Sequence, residues 1–134
     1  MQNFLFIKMG KKYSKINFSE IMYAEAVKKY VRLVTPKKVY LILSSMGSVE
    51  RSLPHNQFCR IHRSYIISLH YTTDFDNEAV YIGDKVFPLG KQHKGLLYEK
   101  VIILSSDIKP EFAIPSDAPQ HSIEPLKVTN YKIV

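Results

Sequence analysis

The sequence predicts a mostly β domain with a few short helices, an α+β arrangement, on three observations. Apolar, β-branched and aromatic residues come in runs of four to six. Glycine and proline punctuate those runs at hairpin spacing. Two stretches alone space their apolar residues as a helix does.

Taken in order, Phe4, Phe6 and Ile7 precede Gly10-Lys11-Lys12, and Tyr13, Ile16 and Phe18 follow, which reads as a hairpin turned by the glycine. Met22 to Ala26, Tyr30 to Thr35 and Val39 to Leu43 continue as strands, with Pro36-Lys37-Lys38 as a turn. Ser45 then offers its hydroxyl as an N-cap, and Met46, Val49 and Leu53 fall on one helical face before Pro54 ends it. Tyr65 to Leu69, Ala79 to Ile82 and Val86 to Leu89 are strand-like, the last two joined by a Gly83-Asp84 turn. Leu97, Val101 and Leu104 predict a closing amphipathic helix, against which Gly95 and the β-branched Val101-Ile102-Ile103 run count. Four of the seven prolines, Pro110, Pro115, Pro119 and Pro125, fall after Ser105, so residues 1–104 are expected to form the folded domain. Residues 105–134 are expected to be a proline-rich tail, extended or partly docked, with Tyr131, Ile133 and Val134 able to add a final strand.

A chain of 134 residues, 46% of them apolar, can close one hydrophobic core and is short for two. Lys and Arg number 19 against 12 for Asp and Glu, a net charge of +7 that favours a polyanionic partner or an acidic surface. The excess belongs to the body of the chain, because the stretch after Leu104 carries three bases and four acids. The single cysteine, Cys59, has no partner for an internal disulfide, and lysines interrupt the apolar residues of the N-terminus where a signal peptide needs an unbroken run. These features fit a reducing cytoplasm. No run approaches the length of a membrane span, so no membrane partner is expected.

The basic residues collect at turns and strand ends: Lys11, Lys12 and Lys15; Lys28, Lys29 and Arg32; Lys37 and Lys38; Arg60 and Arg63; Lys91 and Lys94. Cations on loops can neutralise phosphates and release counterions, which gives affinity without sequence information. Specificity needs a side chain that reads bases. Arg63, flanked by His62 and Ser64, is the best candidate, since a guanidinium can bond guanine O6 and N7 together. The plainer reading of the same lysines is a solvated face, and charge alone does not decide between the two.

The segment Phe58-Cys59-Arg60-Ile61-His62-Arg63-Ser64-Tyr65-Ile66-Ile67 resembles the hallmark of LytTR domains, F-x-R-x-H-[RNK]-S-[YF]-[IV]-[IV]. Ile16 to Ala26 is similar to the family's I-x-[LF]-x-[DE]-I-x-[YF]-x-E-[AS] segment, and Phe87-Pro88-Leu89-Gly90-Lys91 to its [IL]-P-[VI]-[SG]-[RK] segment. The three follow in the family's order and spacing. The chain departs from the pattern at Ser68, where Asn is usual, at Ala24, where a bulkier apolar residue is common, and in the tail.

The resemblance, over about residues 4 to 104, implies an elongated antiparallel β fold whose loops enter major grooves of double-stranded promoter DNA carrying short direct repeats. It implies sequence-specific binding as a transcription regulator, either the output domain of a two-component response regulator or a free-standing regulator, with a homodimer on the DNA as a further expectation. It implies no catalytic activity, cofactor or metal. Carried over, the DNA-binding positions are Lys28, Lys29, Tyr30, Arg63, Ser64 and Lys91, with His93 and Lys94 nearby. Arg63, Lys29 and Lys91 would then face base edges, and Lys28, Tyr30, Ser64 and Lys94 phosphates. Arg60 and His62 alternate with Ile61 and are expected to support the loop from behind by hydrogen bonds; Glu25 is expected to hold a loop in place. The absence of a helix-turn-helix pattern agrees with reading by loops. Regulators of this kind usually carry a phosphoacceptor domain ahead of this pattern, so the expectation is either an excised fragment or a regulator that stands alone.

Other chemistries fit less well. His55, Cys59 and His62 have spacings that would suit zinc on a helix with His70 as a fourth ligand, but Pro54 and the strand-like Tyr65 leave little helix there. Cys59 with His62 as nucleophile and base lacks an orienting acid, and the plain reading of Cys59 is a small buried apolar residue. Gly83, Gly90 and Gly95 do not have phosphate-loop spacing. Nine tyrosines could stack bases, so a single-strand or RNA-binding module is the alternative, followed by a module that meets an acidic protein.

Overall fold

The computed structural model describes residues 2–105 and 114–117. Among these residues ten strands and two short α-helices follow one another: β1 (Phe4–Met9), β2 (Lys12–Asn17), β3 (Tyr23–Val27), β4 (Tyr30–Val34), β5 (Val39–Leu43), α1 (Met46–Ser52), β6 (Phe58–His62), β7 (Tyr65–Ser68), β8 (Asp74–Phe75), β9 (Ala79–Ile82), β10 (Lys85–Pro88) and α2 (Lys94–Lys100). Every strand pairing among them is antiparallel.

Three two-residue hairpins share one backbone requirement. The turns Gly10-Lys11, Lys28-Lys29 and Gly83-Asp84 join strands whose flanking residues are directly paired. In each, the first turn residue has a positive φ, 65° at Gly10, 59° at Gly83 and 56° at Lys28. Glycine adopts this without a Cβ penalty. Lys28 is the exception, an L side chain in the left-handed region.

The five-stranded sheet, in the order β5-β4-β3-β7-β6, is the middle layer. Side chains alternate across it, and both faces are covered over part of their area. Ala24, Val31, Leu33, Phe58 and Ile66 face the β1–β2 hairpin and α1, packing with Ile7, Ile16, Phe18 and Val49. On the opposite face Tyr23, Val34, Cys59 and Ile67 pack with Val80, Ile82, Phe87, Leu89 and Leu97 from the β10-β9-β8 sheet and α2. Ile21, Ile61, Ile67 and Leu97 are fully buried. Each such side chain contributes about 1.5–3 kcal/mol of transfer free energy to folding.

The helices start and stop for local reasons. Ser45 Oγ accepts from the Ser48 N–H at 3.1 Å, which caps α1, and Pro54 follows its end at Leu53. In α2, Leu97 points into the core and Gly95 faces open space. The helix is shorter than its apolar spacing predicts. It ends at Lys100, Val101 is already extended at φ −120° and ψ 156°, and Leu104 is exposed. The β-branched run Val101-Ile102-Ile103 costs helical side-chain freedom, and the exposed Leu104 buries no apolar surface among the described residues to offset it.

The stretch Phe58–His62 is a strand, and Asp74–Phe75 forms a third strand of the smaller sheet; the sequence pattern announces neither. The chain divides into two compact units, Met1–Ile102 and Ile103–Val134. In the second, Ser116 and Asp117 form a turn. The expected tail strand of Tyr131, Ile133 and Val134 lies outside the described residues.

Candidate nucleic-acid interface

The topology carries three cation-bearing segments to one end of the five-stranded sheet. β3 runs toward Lys28 and Lys29, and β7 lies antiparallel beside it with Tyr65 opposite Glu25. The β6–β7 turn of Arg63 and Ser64 therefore sits next to the β3–β4 turn, and the Ala26 N–H donates to the Ser64 carbonyl at 2.9 Å. The third segment arrives from β10. Register slips between Arg60 and His62, leaving Ile61 as a bulge outside the β6–β7 ladder. Its carbonyl accepts from the Gly90 N–H at 2.7 Å, which brings Lys91 to the same end.

Lys28, Lys29, Arg63 and Lys91 are exposed there, while Tyr30, Ser64 and Lys94 are half-buried. His93 differs from the rest. Its ring packs behind Gly90, so that a Cβ at Gly90 would lie 3.1 Å from His93 Nδ1. That nitrogen is buried without a hydrogen-bond partner. Burial first, then the charges of Arg60 and His62, hold His93 below the ordinary histidine range, against a smaller opposing effect of Glu50.

Behind Arg63 the backbone is tied at every carbonyl. Arg60 donates from Nε to the His62 carbonyl at 3.2 Å and from Nη2 to the Arg63 carbonyl at 2.7 Å. Its Nη1 is held by Glu50 Oε1 of α1 at 3.1 Å. His62 Nδ1 accepts from the Ser64 N–H at 3.0 Å, so that in the neutral ring the proton is on Nε2. Arg60 and His62 thus support the loop through hydrogen bonds, as their alternation with Ile61 predicts. Glu25 serves the sheet: one carboxylate oxygen takes Arg32 Nη1 across the β3–β4 pair and the other accepts from the Tyr65 hydroxyl at 3.3 Å.

Sequence neighbourhood misplaces some of the cations. Arg32 is engaged by Glu25, and Lys37 and Lys38 lie in the β4–β5 turn at the opposite end of the sheet. The residue sequence reasoning missed is Glu50, whose role depends on α1 packing beside β6. The zinc and nucleophile candidates are not assembled. His55 and His70 are exposed, Cys59 is buried within β6, and no group of three or more His, Cys, Asp or Glu side chains gathers among the described residues. Burial pushes the Cys59 thiol up to about 11, Glu50 adding to it and Lys100 opposing. Of the described tyrosines, Tyr13 and Tyr98 alone are exposed, and Tyr23 and Tyr40 are in the core.

Such an end can meet a polyanion with three cationic projections on a stiff frame. The family model for the LytTR DNA-binding domain matches residues 11–97. The chain therefore belongs to the LytTR DNA-binding domain family. Among solved structures it is similar to the LytTr DNA-binding domain of a methyl-accepting/DNA response regulator from Bacillus cereus, at 18% identity and a TM-score of 0.64. That alignment covers 75% of this chain and 97% of the other, and it establishes a shared fold. No curated protein matches. No helix among the described residues is long and apolar enough to cross a membrane.

Proposed function

We propose that this domain binds double-stranded DNA sequence-specifically as part of a transcription regulator, as the output domain of a two-component response regulator or as a regulator that stands alone. The observation that carries the reading is the convergence of Lys28-Lys29, Arg63-Ser64 and Lys91 at one sheet end through backbone bonds from Ala26 and Gly90. In this reading Arg63, Lys29 and Lys91 face base edges in the major groove, where a bidentate arginine distinguishes guanine. Lys28, Tyr30, Ser64 and Lys94 neutralise or bond phosphates, and His93 packs Gly90 into place. Short direct repeats would seat two copies in successive grooves, as a homodimer formed on the DNA.

The test compares binding to duplex DNA carrying direct repeats with scrambled duplex, single strand and RNA at two salt concentrations. A duplex preference with a steep salt slope supports the reading, and equal or tighter binding to single strands overturns it. Arg63→Ala is expected to lose about 1–3 kcal/mol on the preferred duplex and to relax discrimination, whereas Lys94→Ala weakens all duplexes alike.

A further inference from the structure

Four consecutive carbonyls, from Ile61 to Ser64, each accept a hydrogen bond from a separate donor group: Gly90 N–H, Arg60 Nε, Arg60 Nη2 and Ala26 N–H. Two of the four belong to one guanidinium, whose remaining bond runs to a helix that carries none of the candidate DNA contacts. The Arg60 side chain is 20% exposed and that of Glu50 35%, so the pair lies under the loop while Arg63 stands out from it. Arg60 serves two adjacent peptide carbonyls and the Glu50 carboxylate from three nitrogens at fixed angles, an arrangement that the single nitrogen of a lysine on its flexible stem does not reproduce.

We propose that Arg60, anchored by Glu50, is a positioning residue that sets base discrimination by Arg63 without touching DNA. The proposal rests on the reading of this end as a sequence-specific interface. A bidentate contact to a base edge needs its side chain held within about 0.5 Å and 10–20° of the productive geometry, and a flexible arginine inherits that accuracy from its backbone. Phosphate contacts by lysines tolerate more displacement, since they depend on charge. Releasing the His62 and Arg63 carbonyls therefore degrades discrimination and leaves non-specific affinity in place.

The experiment uses the full chain, a duplex selected from a random pool for tightest binding, and a scrambled duplex, titrated across a salt series with thermal unfolding of each variant alongside. Arg60→Lys keeps the charge and is expected to lower the ratio of the two affinities by about tenfold, with binding to the scrambled duplex and the salt slope unchanged. Glu50→Gln removes an acid, so charge alone would tighten both complexes. It is expected instead to lower the ratio in the same direction by a smaller factor. A ratio that stays at the wild-type value in Arg60→Lys overturns the proposal. So does equal weakening on both duplexes, whether from loss of folded protein or, with a shallower salt slope, from loss of a direct phosphate contact. Wild-type protein that shows no preference between the two duplexes overturns the underlying reading before any variant is measured.

Discussion

Gly90 donates its N–H to the carbonyl of Ile61 at 2.7 Å, and this bond joins the segment bearing Lys91 to the bulge beneath Arg63. Glycine is needed there for space, because φ at Gly90 is an ordinary −68°. An added Cβ would press on His93 Nδ1 at 3.1 Å and meet the Ile61 carbonyl at 3.5 Å. Gly90→Val is expected to destabilise the fold by about 1–3 kcal/mol through overpacking, with Gly90→Ala at or below the lower end. Denaturant midpoints at constant slope would measure this; a neutral Gly90→Val would show that His93 yields freely.

Lys28 holds the backbone conformation that glycine supplies in the other two hairpins. The side chain that strains the turn is also one that the proposed reading offers to phosphate, a conflict between local preference and position of the kind expected at functional sites. Lys28→Gly should raise stability by up to about 1 kcal/mol while weakening duplex binding and flattening the salt slope by about one phosphate. Thermal unfolding and a salt titration of the same variant read the two effects separately. Unchanged affinity would remove Lys28 from the phosphate contacts.

Cys59 is 1% exposed, and its thiol is pushed up to about 11, chiefly by burial. The thiolate is the reactive form, so the folded protein should resist alkylation by iodoacetamide at pH 8 and react rapidly once unfolded. Mass spectrometry after timed exposure, with and without denaturant, checks this. Rapid labelling under native conditions would mean that β6 opens on that timescale.

The depressed folded-state titration of His93 makes stability depend on pH with a definite sign. Above the unfolded value of about 6.5 the ring is neutral in both states, and nothing is lost. As pH falls below that, the unfolded chain takes up the proton first, so stability declines until pH has passed through the folded-state value. His93→Gln is expected to flatten the decline between pH 7 and 5, as followed by chemical denaturation at several pH values. A slope identical to wild type would assign the effect to other histidines.

Much of this architecture is legible in the chain. Hairpins follow from Gly10 and Gly83-Asp84, and α1 from Ser45 and Pro54, because turn and cap chemistry acts between residues a few places apart. Phe58–His62 hides as a strand because its polar residues, Arg60 and His62, point toward the loop they support instead of toward solvent. Lys28-Lys29 gives no turn signal for want of a glycine. The closing helix is overextended by its spacing because Leu104 is exposed among the described residues and adds no burial to the helical face. At the candidate interface, the proposed reading positions come from resemblance to a pattern, whereas Glu50 is invisible to it: the ion pair with Arg60 spans a helix end and a strand that only the fold brings together.

Because the loop's carbonyls are secured by donors from Arg60, Ala26 and Gly90, the Arg63 and Lys91 side chains carry little of the burden of folding. On the proposed reading of this end, substitution at these two positions is expected to change which duplex is preferred while the melting temperature stays nearly constant. On that same reading, randomising them together would vary the preferred sequence on one unchanged chassis.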